Sequence, residues 1–140
     1  MTPRRRLFEL QQHVLALHEK NYIHRDIKPE NFMMGVGPNK SCLHIIDYGL
    51  AKRYRKTCGQ HIAEEQFRPA IGTKRYLSKN VLSGVTPSRR DDLISVIYIL
   101  IYFRSGNLPW VGLDDKNPDK SSKQINELAI QKRNQPGTVV

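Results

Sequence analysis

The sequence predicts a mainly α fold with one small β-hairpin. Three observations lead there. Near the start, Leu7, Leu10, Val14 and Leu17 recur at helical spacing. Further on, Leu93 to Phe103 is apolar on nearly every side; at 11 residues it is too short to span a bilayer and reads as a buried central helix. Between them, Phe32-Met33-Met34 and Leu43-His44-Ile45-Ile46 flank Gly35-Val36-Gly37-Pro38-Asn39-Lys40, a breaker-rich turn between two short strands.

The elements follow in order. A helix is expected over 4–20, opening on Arg4-Arg5-Arg6, a basic cluster read as a solvated helix start. His13 and His18 fit its surface or the edge of the core. Lys20-Asn21 ends it, and Tyr22-Ile23 is a short strand. The hairpin over 32–46 comes next. Residues 51–71 read as a long charged loop, and loops of that length are usually functional. Ser78-Lys79-Asn80 reads as a polar turn. Ser88 caps the central helix, with Asp91 and Asp92 suited to its N-terminal dipole. Residues 114–124 are a polar surface loop, and a weaker helix is expected over 123–134 around Ile125, Leu128 and Ile130.

The chemistry concentrates in His24-Arg25-Asp26-Ile27-Lys28-Pro29-Glu30-Asn31 and in Asp47-Tyr48-Gly49, sixteen residues past its Asn. An Asp that accepts a proton from a hydroxyl belongs on a rigid loop beside a Lys that neutralises phosphate. An Asn a few residues on, with a second Asp from a neighbouring strand end, supplies oxygen ligands of the kind Mg²⁺ takes. The hairpin holds these two segments at its ends, so its turn can vary in length while the site stays fixed. Gly72-Thr73 is the small-residue step that a backbone close to Asp26 and a peptide substrate needs. Gly35-x-Gly37 is no phosphate-binding loop, since a third Gly and a following helix are missing. Cys42-x-His44 and Cys58-x-x-His61 lack the tight knuckle of a zinc site.

Those two segments have the pattern of a protein-kinase catalytic loop and its metal-binding turn. The run from Tyr22 to about Gly112 resembles the casein kinase 1 family of serine/threonine kinases. The resemblance rests on H-R-D-I-K-P-E-N-F at 24–32, D-Y-G-L-A-K at 47–52, Q-H-I at 60–62, G-T-K-R-Y at 72–76, S-R-R-D-D-L at 88–93 and N-L-P-W-V-G-L at 107–113. The usual Ala-Pro-Glu after the activation segment is absent, as in that family, and Ser78-Lys79-Asn80 stands where the family has Ser-Ile-Asn. Tyr48 and Pro87-Ser88-Arg89-Arg90 lean towards the vaccinia-related cousins, and Arg25 leans back to casein kinase 1. Lys74 and Leu77 depart from the family's Ala residues, and Lys79 from its Ile.

The resemblance implies a kinase-like large lobe and roles by position. Asp26 is the expected catalytic base and Lys28 the partner of the γ-phosphate. Asn31 and Asp47 are the expected Mg²⁺ ligands, and with Lys28 they face the cofactors, ATP and Mg²⁺. Thr73 is expected to bridge Asp26 and Lys28, and Asp92 to hold the backbone of the catalytic loop. Arg25 and Arg75 match residues that gather an anion near the activation segment, which suits acidic or already phosphorylated protein substrates. The expected domain is a partial kinase domain over 1–140, from the helix before the catalytic loop to the region after the central helix, with the small lobe absent. The chain by itself is accordingly expected to be inactive or nearly so, because positioning of ATP supplies much of the rate.

Composition sets the remaining bounds. A length of 140 residues gives one small domain, and a net charge of +10 favours anionic partners. Two cysteines make no disulfide framework and fit the cytoplasm or nucleus. Two rival readings are an inactive, pseudokinase-like module docking acidic partners through its basic face, and a nucleic-acid binder. The intact Asp26, Lys28, Asn31 and Asp47 argue against the first. Aromatic residues, at 8%, do not interleave with the basic runs as a stacking platform requires, so nucleic acid is not expected as a partner. No membrane span is expected, and the oligomeric state is not specified.

Overall fold

The structure is a computed structural model that describes residues 3–66 and 68–111. The side chains of residues 1–7, among them Arg4–Arg6, lie outside that description. So does everything from residue 112 on, including the surface loop and the helix expected over 123–134.

Helix α1 runs Pro3–Glu19 and buries Leu10, Val14 and His18, one stripe at helical spacing. It stops where Asn21 turns left-handed, at φ 66°, a conformation that Asn tolerates. Strand β1, Tyr22–Ile23, then leads into the catalytic loop. A short 3-10 turn, Pro29–Asn31, passes into β2, Phe32–Met34, which pairs antiparallel with β3, Leu43–Ile45. Phe32 pairs with Ile45, and the Ile46 N–H donates to the Asn31 carbonyl at 2.9 Å. The expected hairpin is therefore present, and its pairing sets residues 31 and 46 side by side at its open end.

Two short elements correct the sequence reading. The charged stretch after Ala51 does not stay a loop throughout: Lys52–Arg53 forms β4, antiparallel to β1, with Ile23 opposite Lys52. Tyr54 follows it into the core at 4% exposure, and its hydroxyl donates to the His18 carbonyl at 2.7 Å. Two charged residues show no alternation for a sequence pattern to find. Lys79–Leu82 is a four-residue helix, α2, and not a polar turn; the Ser78 hydroxyl caps it by accepting from the Val81 N–H.

Helix α3, Arg89–Ser105, opens where expected. The Asp91 carboxylate accepts from the Ser88 N–H at 2.7 Å, and Gly106, at φ 73°, closes the far end. It is less uniformly buried than its composition suggests. Val96 and Ile99 sit in the core, but Ile97 and Phe103 are exposed. Around Ile99 the core gathers Val14, Ile27, Tyr76, Leu77, Val81, Leu108 and Trp110. None of the described helices is long and apolar enough to cross a membrane.

Candidate active site

Asp26 is 7% exposed and both its oxygens are committed. Oδ1 accepts from the Thr73 N–H at 2.9 Å and the Thr73 hydroxyl at 2.7 Å. Oδ2 lies 2.9 Å from the Lys28 ammonium, and the Asn31 amide reaches it at 3.3 Å. Thr73 thus meets Lys28 through Asp26 and does not bond to it directly, a narrower contact than the bridge expected.

Burial alone would push the Asp26 carboxyl upward. The Thr73 hydrogen bonds and the Lys28 ammonium outweigh it and hold the group below the usual carboxylate range. The Asp26 carboxylate in turn raises Lys28, and Glu30 and Asp47 add to the effect. A carboxylate held this low is a weak base but a firm acceptor, so its strength lies in orienting a hydroxyl.

The loop around Asp26 is fixed from beneath by Asp92 of α3. Its Oδ2 accepts from the His24 N–H at 2.8 Å and its Oδ1 from the Arg25 N–H at 2.9 Å. His18 Nε2 adds a third contact, 2.9 Å from Oδ2, with both side chains buried. Neighbouring donors can point at one carboxylate because Arg25 adopts φ 70°. The His24 ring locks the other side: its Nδ1 accepts from the Asp26 N–H at 3.3 Å, and its Nε2 lies 3.2 Å from the Ile46 carbonyl. These partners assign the proton to Nε2. His18 carried a weak signal in the sequence, its position on the apolar stripe four residues after Val14; its pairing with Asp92 carried none.

Gly72 lets the segment from 73 onward close over the loop. A Cβ there would stand 2.3 Å from the Arg25 carbonyl oxygen, and its φ is 111°. Only glycine meets both conditions.

Asn31 and Asp47 stand at the open end of the β2–β3 hairpin. Asn31 is 4% exposed and donates to the Asp26 carbonyl at 2.8 Å, and its amide oxygen accepts no hydrogen bond among the described residues. Asp47 is exposed, adopts φ 60°, and accepts from the Gly49 N–H at 3.2 Å. The Tyr48 ring lies 5.4 Å from His24. An amide oxygen and a carboxylate are donors that suit Mg²⁺, which keeps its remaining positions for water and phosphate. Asn31 and Asp47 are the residues that fit it, and a bound ion there would neutralise phosphate charge.

Arg25 lines a cleft of about 1040 Å³ bounded by residues of α1, the segment 52–55 and the start of α3. Its Nε donates to the Leu50 carbonyl at 2.6 Å. Arg75 does not line this cleft. It sits half-buried on a 3-10 turn, Lys74–Tyr76, and its carbonyl accepts from Trp110 Nε1 at 2.8 Å. Asp26, Lys28, Asn31 and Asp47 also do not line the cleft.

The protein kinase domain model matches residues 4–138 of this chain, nearly its whole length. The chain belongs to the protein kinase domain family. Kinases in general transfer a phosphoryl group from ATP with Mg²⁺. Lys28 places a positive charge beside one oxygen of Asp26, and Thr73 fixes the carboxylate's angle. Asp92 and His24 hold the loop that carries these groups.

Proposed function

We propose that this chain is the large-lobe part of a serine/threonine protein kinase of casein kinase 1 type. It passes the γ-phosphate of ATP to Ser or Thr in acidic or already phosphorylated protein segments. The observation that carries the reading is the Asp26 carboxylate, clamped on one oxygen by Thr73 and on the other by Lys28. That arrangement orients an alcohol and compensates phosphate charge in one step. Lys28, two residues after the base, is the position that the resemblance ties to Ser/Thr acceptors. The substrate class is supported by Arg25 in a cleft rich in arginine and by a net charge of +10. Asn31 and Asp47 are the proposed Mg²⁺ ligands. Two exposed thiols, Cys42 and Cys58, suit work in the cytoplasm or nucleus.

The test has two steps. Sequencing the transcript on both sides of the present reading frame defines the natural chain. That chain, supplied with Mg²⁺ and γ-labelled ATP, is then offered Ser, Thr and Tyr peptides with acidic, phosphorylated or basic flanks. Transfer to Ser and Thr peptides with acidic or phosphorylated flanks is the expected result. Transfer to Tyr, or indifference to the flanking charge, overturns the reading.

A further inference from the structure

The cleft beside Arg25 has a second basic end. Tyr54 organises it. This ring is buried and pinned by its hydroxyl to the His18 carbonyl, by its N–H to the Asn21 carbonyl at 3.0 Å, and by its carbonyl to the Ile62 N–H at 2.9 Å. Two guanidinium groups from distant parts of the chain gather on it. The Arg89 head lies 4.8 Å and the Arg55 head 5.6 Å from the ring centroid. His61 approaches the same ring at 5.4 Å.

The acids nearby do not balance them. Glu64 is taken by Arg90 at 2.8 Å and Glu65 by Arg68. Glu19 stands at the α1 edge of the cleft without an ion pair among the described residues, and neither Arg55 nor Arg89 has a carboxylate partner among them. Two like charges are thus held around one buried ring, on residues that line the same concave space as Arg25. The ring's quadrupole stabilises each cation and fixes its plane. Planar guanidinium groups fixed in this way suit the oxygens of a phosphate monoester or carboxylate. A nucleic acid is the poorer fit. Tyr54, at 4% exposure, offers no open face for a base, and its approaches are occupied by arginine.

We propose that Arg55 and Arg89 form a second anion site, which binds a second phosphoryl group of the same protein segment whose first anion lies at Arg25. The inference rests on the protein-substrate reading above. It makes the preferred partner a segment carrying two phosphates in tandem.

The experiment is a binding measurement without ATP, so it stands whether or not transfer is observed. Fluorescently labelled peptides carrying one phosphoserine, or two separated by one to five residues, are titrated with the full chain. The best doubly phosphorylated peptide should bind about tenfold tighter than its singly phosphorylated parent, the scale of one added charge-assisted contact. Arg89→Gln should reduce that advantage to about twofold or less while leaving the singly phosphorylated peptide's affinity unchanged. Arg89→Lys, which keeps charge and loses the planar fork, should retain only part of it. Circular dichroism of each variant checks that the fold is intact. An equal affinity for both peptides, no binding of either, or an advantage that survives Arg89→Gln overturns the proposal. So does a single-stranded DNA oligomer that binds as tightly with the same Arg89 dependence. Failure of the kinase reading shows separately, as absent or charge-indifferent transfer in the labelled-ATP assay.

Discussion

Replacing Asp92 by Asn exchanges one oxygen for an NH₂ group beneath the catalytic loop, and the structure gives the size of the effect. Asp92 accepts three hydrogen bonds: from the His24 N–H, from the Arg25 N–H and from His18. The carboxylate accepts on both oxygens, whereas the amide accepts on one. Asn keeps the two contacts at Oδ2 by turning its NH₂ to face the Arg25 N–H, donor against donor. Hydrogen bonds to charged groups contribute about 1.5–3 kcal/mol, so Asp92→Asn should destabilise by about 2–3 kcal/mol. Asp92→Ala strands all three donors and should cost about 5 kcal/mol, a large share of a small domain's total stability. The assay is urea unfolding followed through the fluorescence of Trp110, the chain's one tryptophan, which is 5% exposed. An unchanged slope with a lower midpoint assigns the loss to the native state. If Asp92→Asn unfolds within about 0.5 kcal/mol of the parent, a level typical of neutral surface changes, Asp92 is not what holds the loop.

Four further outcomes are expected. Thr73→Val removes the hydroxyl bond to Asp26 and keeps the backbone bond, so kcat should fall about tenfold in the labelled-ATP assay and Thr73→Ser should restore it; Asp26→Asn should lose about a hundredfold or more. In pH terms Asp26, with its folded value depressed, contributes stability that is full above about pH 4 and drains as pH falls through that lower value, whereas Lys28, with its folded value raised, contributes stability that is full below about pH 10 and drains as pH rises through that higher value. Urea midpoints should therefore show no pH dependence from this pair between about pH 5 and pH 9, where its contribution is full, and a step within that window that mutation of either group removes refutes the assignment. Gly72→Ala should destabilise by about 3 kcal/mol in the same unfolding assay, because its Cβ meets backbone at the Arg25 carbonyl, which cannot swing aside.

The features legible in the sequence were those with local causes. Leu10, Val14 and His18 share a helical stripe, so α1 was predictable to within a residue or two. Ser88 and Asp91 announce the start of α3 by capping chemistry. Breakers between two apolar runs announce the hairpin. The catalytic segment was legible because Asp26, Lys28 and Asn31 follow one another within six positions, a spacing set by a single loop. What escaped depends on distant partners. Strand β4 is two charged residues whose only reason to be extended is β1. Tyr54 is buried because His18, Asn21 and Ile62 lie around it. The exposed Ile97 and Phe103 share the composition of the buried Val96 and Ile99, and only their rotation about α3 separates them. Arg25 and Arg75 match one family pattern, yet the fold gives them different surroundings.

The contacts that hold the catalytic loop span 67 to 74 residues of sequence, since His18, His24 and Arg25 all meet Asp92. Such closures are slow and entropically costly, and they wait for both partners. On a ribosome, the chain emerges with Asp26 long before Asp92 exists to receive its loop. A growing polypeptide therefore carries the reactive sequence without the reactive shape. Competence to phosphorylate arrives only when α3 has been made and docked, so the anchor also acts as a completion check that a half-made kinase cannot pass.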